Sequence, residues 1–208
     1  MPNTFARWID SWRFRLFRPG FHVLYHYELR KAGWREAMAS DVSIFDGERV
    51  LEVQMRQSGI APILSAALPK ARFSVVDLDG EQTEEGSEAI TYHNERFNRR
   101  SGSFDVVLCS MALHPLPPTG KLALLKEIRR VLRHGGSVFI ADIDKPFTAI
   151  ERRLLRGLAY YFGSHTTAAH LDGTWVELIK QAGFTDVKTL KRKTHFTARI
   201  TILRARRR

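Results

Sequence analysis

A single cysteine, Cys109, occurs in 208 residues, which excludes an internal disulfide and a cysteine-based metal site. Its apolar neighbours Val106, Val107 and Leu108 read as the end of a strand, where a thiol packs as a small hydrophobe. No run of eighteen or more apolar residues occurs, so no membrane-spanning helix is expected. The start of the chain lacks the apolar block of a secretory leader; it interleaves arginines with aromatics. These features point to a cytoplasmic protein, peripheral at most on the inner membrane face, although an Arg-rich, acid-poor start also fits a mitochondrial transit peptide. The chain contains no Walker-type loop, no Gly-x-Ser-x-Gly elbow and no His-Glu-x-x-His. Of eight histidines only His22 and His26 stand four apart, and with no third ligand nearby they read as a packed or surface pair, not a zinc site. Acids are missing from Lys188 to the end, where nine Lys or Arg occur, while Asp77 to Glu95 holds seven acids and no Lys or Arg. The net charge of +11 implies an anionic partner, either a membrane surface or nucleic acid.

Apolar residues Phe5, Trp8, Ile9, Trp12 and Leu16 recur at helical spacing, with Arg7, Arg13 and Arg15 mostly off that stripe. Pro19-Gly20 ends this basic amphipathic helix, and a second helix is expected over about residues 22–39. Residues 1–40 therefore form an N-terminal element of amphipathic helices, and residues 41–208 the main domain. The first helix suits either an anionic membrane surface, met through residues 5–18, or a cap over the domain. Strands are expected at Arg49–Val53, Phe73–Leu78, Ala89–His93, Phe104–Ser110 and Ser137–Asp142, with helices at Ile60–Leu68 and Lys121–Leu132. His134-Gly135-Gly136 is expected to stop the second of these helices. A helix over Thr174–Ala182 is closed by Gly183, and strands near Val187–Leu190 and His195–Leu203 follow without a helix between them. Such alternation implies a doubly wound α/β fold with a mostly parallel sheet and an antiparallel hairpin at its C-terminal edge.

Three segments resemble the class I S-adenosylmethionine-dependent methyltransferases. They are Phe104-Asp105-Val106-Val107-Leu108 with Met111-Ala112-Leu113-His114, then Glu127 through Val131-Leu132 to Gly135-Gly136, and Trp175 through Ala182-Gly183-Phe184. His134 stands where that family usually has proline. Within the superfamily, Leu24-Tyr25-His26-Tyr27-Glu28 and Gly33-Trp34-Arg35-Glu36-Ala37 are similar to a region of the quinone-biosynthesis and phospholipid methyltransferases. The resemblance implies a Rossmann-like sheet of seven strands, with S-adenosylmethionine bound beyond their carboxyl ends.

It also implies roles for particular residues. Glu52 matches the acid that ends the first strand, and its carboxylate either serves the cofactor or is satisfied by backbone amides. The family then has a Gly-x-Gly-x-Gly turn, whereas this chain has Gln54, Met55, Arg56, Gln57 and Ser58, with only Gly59 remaining at the edge. Arg56 puts a cation beside a sulfonium, or pairs with the cofactor's carboxylate. Asp77 matches the acid that accepts the ribose hydroxyls, with Asp79 as a near alternative, or else it is a solvated acid of a very acidic turn. Cys109 and Ser110 fall on the floor beneath the transferred methyl group. His114 is the candidate general base, or else a loop histidine that shapes the pocket. Only 28 positions separate Asp77 from Asp105, and Gly80 to Ser87 is a poor helix, so the family's second helix is expected to be shortened.

Three functions fit this pattern. The first is methyl transfer to an apolar, membrane-derived small molecule. The second is a cofactor-free scaffold or partner subunit on the same fold. The third is an RNA-associated relative, for which the basic tail Arg204 to Arg208 would supply phosphate contacts.

Overall fold

The computed structural model describes residues 32–55, 58–78, 90–162, 164–195 and 198–208. The helix expected over residues 5–17 lies outside them, as does most of the one expected over 22–39. The described part of the latter is α1 (Trp34–Asp41).

The main sheet has six strands: β1 (Arg49–Gln54), β2 (Arg72–Asp77), β5 (Phe104–Ser110), β6 (Leu132–Ile143), β7 (Thr185–Thr194) and β8 (Arg199–Arg206). Their order is β2-β1-β5-β6-β8-β7, with the first four parallel and the last two antiparallel. Runs such as Val50-Leu51-Glu52-Val53 are buried on both faces, as a parallel sheet covered by helices requires. One face carries Leu51, Val53, Val107, Val138 and Ile140 beneath α3 (Pro118–Val131), α5 (Ser164–Asp172) and α6 (Trp175–Gln181). The other carries Val50, Val106, Leu108 and Phe139 beneath α1, α2 (Ala61–Ala67) and α4 (Ala149–Phe162).

The expected third strand does not join this sheet. Tyr92–His93 (β3) and Arg96–Phe97 (β4) instead pair with each other, around Asn94 and Glu95 at φ 48° and 60°. A two-residue turn with both φ positive folds the chain straight back on itself. The hairpin is then fastened to α3. Arg130 grips Glu127 at 2.6 and 2.7 Å and donates to the Arg99 carbonyl at 2.8 Å, while Glu127 accepts the Phe97 amide at 2.7 Å. Among the described residues the main sheet therefore has six strands where seven were expected. No helix lies between β2 and β5 among the described residues, and residues 79–89, on which the shortened helix was expected, are outside them.

The Gly135-Gly136 pair also differs from expectation. The helix ends at Val131, and both glycines lie inside β6. A Cβ on Gly136 would come within 2.9 Å of the Arg133 and Asp105 carbonyl oxygens, so close backbone approach fixes glycine there. Arg207 does not serve as a free tail cation. Its guanidinium donates to the carbonyls of Arg129, Arg130 and Leu132 at 2.5–2.8 Å and closes the C-terminal end of α3. The helices α4 and α5 were not anticipated from the sequence. No described helix is long and apolar enough to cross a membrane.

Candidate functional site

β1 is flanked by β2 on one side and β5 on the other, so the strand order reverses between β1 and β5. A crevice for ligand opens at the carboxyl ends of strands at such a switch. Asp77, Gln54, Ser110 and Ala141 lie in one register row across those ends.

The turn after β1 is held by its own side chains. Glu52 accepts the Ile60 amide and the Ala61 amide, both at 2.7 Å, and the Ser110 hydroxyl at 2.6 Å. Burial pushes this carboxyl up, against the pull of those three donors and the nearby Arg35 charge. Of the two readings of Glu52, the carboxylate satisfied by backbone amides is therefore present in the structure. Gln54 accepts the Gly59 amide at 2.7 Å, Ser58 donates to the Ser110 carbonyl at 2.9 Å, and Arg35 donates to the Gly59 carbonyl. Gln54, Met55 and Ser58 are all buried. These three of the five residues that stand in place of the glycine turn thus pack into it. Arg56 and Gln57 lie outside the described residues.

Gly59 is the one glycine that this arrangement requires. A Cβ there would stand 2.3 Å from both Gln54 Oε1 and Glu52 Oε2. Gly59→Ala is expected to cost about 3 kcal/mol, from overpacking and from the lost amide bonds. Chemical denaturation measures this directly, and a change under about 1 kcal/mol would show that the turn can relax.

The second part of the site lies on the opposite face of the sheet. Asp142, near the end of β6, accepts His114 Nδ1–H at 2.9 Å, the Leu113 amide at 2.7 Å, the His114 amide at 3.2 Å and the Ile143 amide at 2.8 Å. His114 and Asp142 are both fully buried. Burial alone would push the Asp142 carboxyl up; the His114 partner and these donors hold it well below the usual carboxylate range. Met111, which leads into this loop, has φ 54°, a left-handed conformation that costs a side-chain-bearing residue about 1–2 kcal/mol. Such strain persists where the surroundings over-determine it, and here the Met111 amide donates to the Ala141 carbonyl at 2.8 Å.

His170 and Lys121 complete the cluster. His170 donates Nδ1–H to the Ile143 carbonyl at 2.6 Å and stacks on Trp175 with ring centroids 5.2 Å apart. Its edge meets the His114 ring at 6.3 Å. Burial pushes the His170 pKa down to about 4. Lys121 Nζ is buried, donates to the Leu116 and Thr166 carbonyls, and is pushed down to about 8 by burial.

The site residues expected from the resemblance thus divide. Glu52, Gln54, Gly59 and Ser110 come together in one bonded turn, and Asp77 ends β2 beside Gln54. Cys109 does not line a crevice: its side chain is fully buried in the core on the opposite face, and burial pushes its thiol well up. Alternation along β5 turns Cys109 and Ser110 to opposite faces. The reading of the strand-end thiol as a packed hydrophobe describes its surroundings. Asp142, Lys121 and His170 were missed. An acid closing the strand next to β5 was a usable signal for Asp142. Lys121 and His170 had none, because α5 was not anticipated. No group of three metal-ligating side chains occurs among the described residues.

Residues 57–140 match a family described as a methyltransferase domain. An uncharacterized methyltransferase of Synechocystis sp. is 30% identical over 87 residues, which are 42% of this chain and 41% of that protein. The chain therefore spans under half the length of this relative. Among solved structures, PigF with S-adenosylhomocysteine is similar at TM-score 0.58 and 15% identity, over 95% of this chain and 62% of that one. Human N-acetylserotonin methyltransferase in complex with S-adenosylmethionine gives 0.55 and 15%, over 93% and 58%. An S-adenosylmethionine-dependent methyltransferase from Aquifex aeolicus gives 0.54 and 13%, over 82% and 88%. These structural likenesses carry the fold. Together with the sheet order, they show that the chain has the fold of the class I methyltransferases, and residues 57–140 carry the match to the methyltransferase domain.

Proposed function

We propose that the protein transfers a methyl group from S-adenosylmethionine to a small apolar molecule. The observation that carries this is the row Asp77–Gln54–Ser110 across the strand ends at the switch point. Of the side chains that replace the glycine turn, Gln54 and Ser58 bond within the turn and Gln54, Met55 and Ser58 are buried, which leaves the space beyond them to the cofactor. Asp77 would accept the ribose hydroxyls, which a carboxylate can do in pairs. The cofactor supplies an electrophilic methyl on a sulfonium. The protein's part is chiefly to align the two reactants and exclude water.

His114 is the candidate base for a hydroxyl substrate. With Nδ1–H given to Asp142, its basic nitrogen is Nε2. The ring is fully buried, so this role needs the pocket wall to part as substrate enters. Membrane contact through residues 5–18 would bring such a protein to an apolar, membrane-derived substrate, in keeping with the similarity to the quinone and phospholipid enzymes.

Calorimetric titration with S-adenosylmethionine and S-adenosylhomocysteine tests the reading. Micromolar binding is expected, with Asp77→Ala weakening it by about tenfold to a hundredfold, the worth of hydrogen bonds to a charged acceptor. No binding up to millimolar ligand would sink it and leave a cofactor-free scaffold or partner subunit.

A further inference from the structure

The segment that leaves β6 runs from the His114–Asp142 pair to the surface within a few residues, and it holds two large apolar side chains in water. Phe147 is 78% exposed and Ile150 61% exposed. Phe45 and Ile63 are the other exposed large hydrophobics among the described residues, and each stands apart from this pair in sequence. Single exposed apolar residues are ordinary; an adjacent pair on a rigid support is not.

The support is visible in the hydrogen bonds. Thr148-Ala149-Ile150-Glu151 forms a capping box at the start of α4. Glu151 accepts the Phe147 amide at 2.6 Å and the Thr148 amide at 3.0 Å, and the Glu151 amide donates to Thr148 Oγ1 at 3.1 Å. Pro146 fixes the backbone one residue earlier. The Arg199 guanidinium sits 4.8 Å over the Phe147 ring. Phe147 is thus presented to solvent by a folded element and is not a loop side chain without a place.

The exposed charges from Lys145 to Arg156 are all cationic; of the acids nearby, Asp144 is paired with Arg192, and Asp172 faces Lys145. Lys145, Arg152, Arg153 and Arg156 are exposed, and Glu151, the acid within this stretch of α4, is buried in the cap. Ala149, Arg152, Arg153 and Arg156 follow one helical stripe, with Ile150 at its edge. Leu155 and Leu158 face the core. A surface helix with apolar residues set among arginines has the composition that lies in the boundary of an anionic bilayer.

We propose that the start of α4 docks the protein on an anionic lipid surface, with Phe147 and Ile150 entering the headgroup boundary and Lys145, Arg152, Arg153 and Arg156 meeting lipid phosphates. This surface is built from residues other than 5–18 and needs no bound cofactor, so it stands or falls apart from the methyl-transfer reading. The lipid source is fixed by the apolar pair, because free phosphate would engage the arginines alone.

The test is co-sedimentation of the full chain with vesicles of phosphatidylglycerol and phosphatidylcholine, against phosphatidylcholine alone. Binding to the anionic vesicles is expected, weakening as salt rises. Phe147→Asp with Ile150→Asp should lower the partition by about tenfold or more, and Arg152→Gln with Arg153→Gln and Arg156→Gln by on the order of a hundredfold. All five positions are exposed, and an unchanged melting curve confirms folding. The proposal is overturned if the wild-type chain does not bind anionic vesicles. It is overturned equally if both variants bind as wild type while deletion of residues 1–20 abolishes binding. A third overturning result is that the Phe147 and Ile150 change turns a lipid-free dimer into a monomer, since the patch would then be a contact between copies.

Discussion

Asp142→Ala is expected to lower stability by about 3–5 kcal/mol, the cost of breaking a buried pair by removing one partner. Four donors lose their acceptor together: the amides of Leu113, His114 and Ile143, and His114 Nδ1–H. None of these groups is replaced by water, because the carboxylate and the imidazole are fully buried. Against a typical total of about 5–15 kcal/mol, this is a large fraction, and the variant should unfold at a much lower urea concentration. Asp142→Asn separates structure from chemistry. Its amide oxygen still accepts backbone amides, so it should retain more stability than the alanine variant. Its NH2 group, however, would donate to His114 Nδ1 and move the ring proton to Nε2. If His114 is the base, methyl transfer falls in the asparagine variant while cofactor affinity stays. The pH dependence has a definite sign. The folded carboxyl lies below its unfolded value, so its contribution is complete above the ordinary carboxylate range and is lost only as pH falls through the folded value into strong acid. A loss under about 1 kcal/mol in the alanine variant would show that the loop 111–114 is held by other contacts.

The parallel core was legible because its strands are continuous apolar runs, and Phe104 to Leu108 and Ser137 to Asp142 need no context to be read as buried. The C-terminal hairpin was legible as well, with boundaries displaced by a few residues, although its β7 is a polar and largely exposed strand. What failed was local. Ala89 to His93 has strand propensity, but Asn94-Glu95 adopts a turn that pairs the strand with its own continuation, and propensity does not choose a partner. Gly135-Gly136 reads as a helix stop, yet a contact with the Asp105 carbonyl, distant in sequence, sets it. In the site, the substituted glycine turn reads as a loss. The structure shows Gln54 and Ser58 supplying hydrogen bonds inside the turn. That role depends on Gly59 and Ser110 being close in space, which no spacing rule contains. The capping box Thr148 to Glu151 was readable from residue types alone, and with it the start of α4. The burial of Lys121 and His170 was not, because it follows from how α5 lies against α3.

His170 gives the second large effect. Burial holds its pKa near 4, against an ordinary value of 6.5, so the native state refuses a proton that the unfolded chain accepts across that interval. The Asp142 charge opposes the shift, and Lys121 and His114 add to it. With more protons bound by the unfolded chain, stability rises with pH there, and it should fall by about 3 kcal/mol as pH is lowered from 7 to 4 on this account alone. Glu52 acts in the opposite direction, because its raised folded value favours the native state as pH falls through the carboxylate range. The difference between two chains isolates the histidine. His170→Asn keeps a donor toward the Ile143 carbonyl but cannot be protonated. It should be less stable than wild type at pH 7, having lost the stack on Trp175. That gap should then shrink, or reverse, as pH approaches 4, because only the wild-type chain is pulled toward unfolding by protonation. Urea unfolding of both chains at half-unit intervals of pH measures it. Parallel stability curves would mean that His170 is protonated as readily in the folded protein as in the unfolded one. The cluster of His114, Asp142, His170 and Lys121 would then be open to water and not sealed beneath α5.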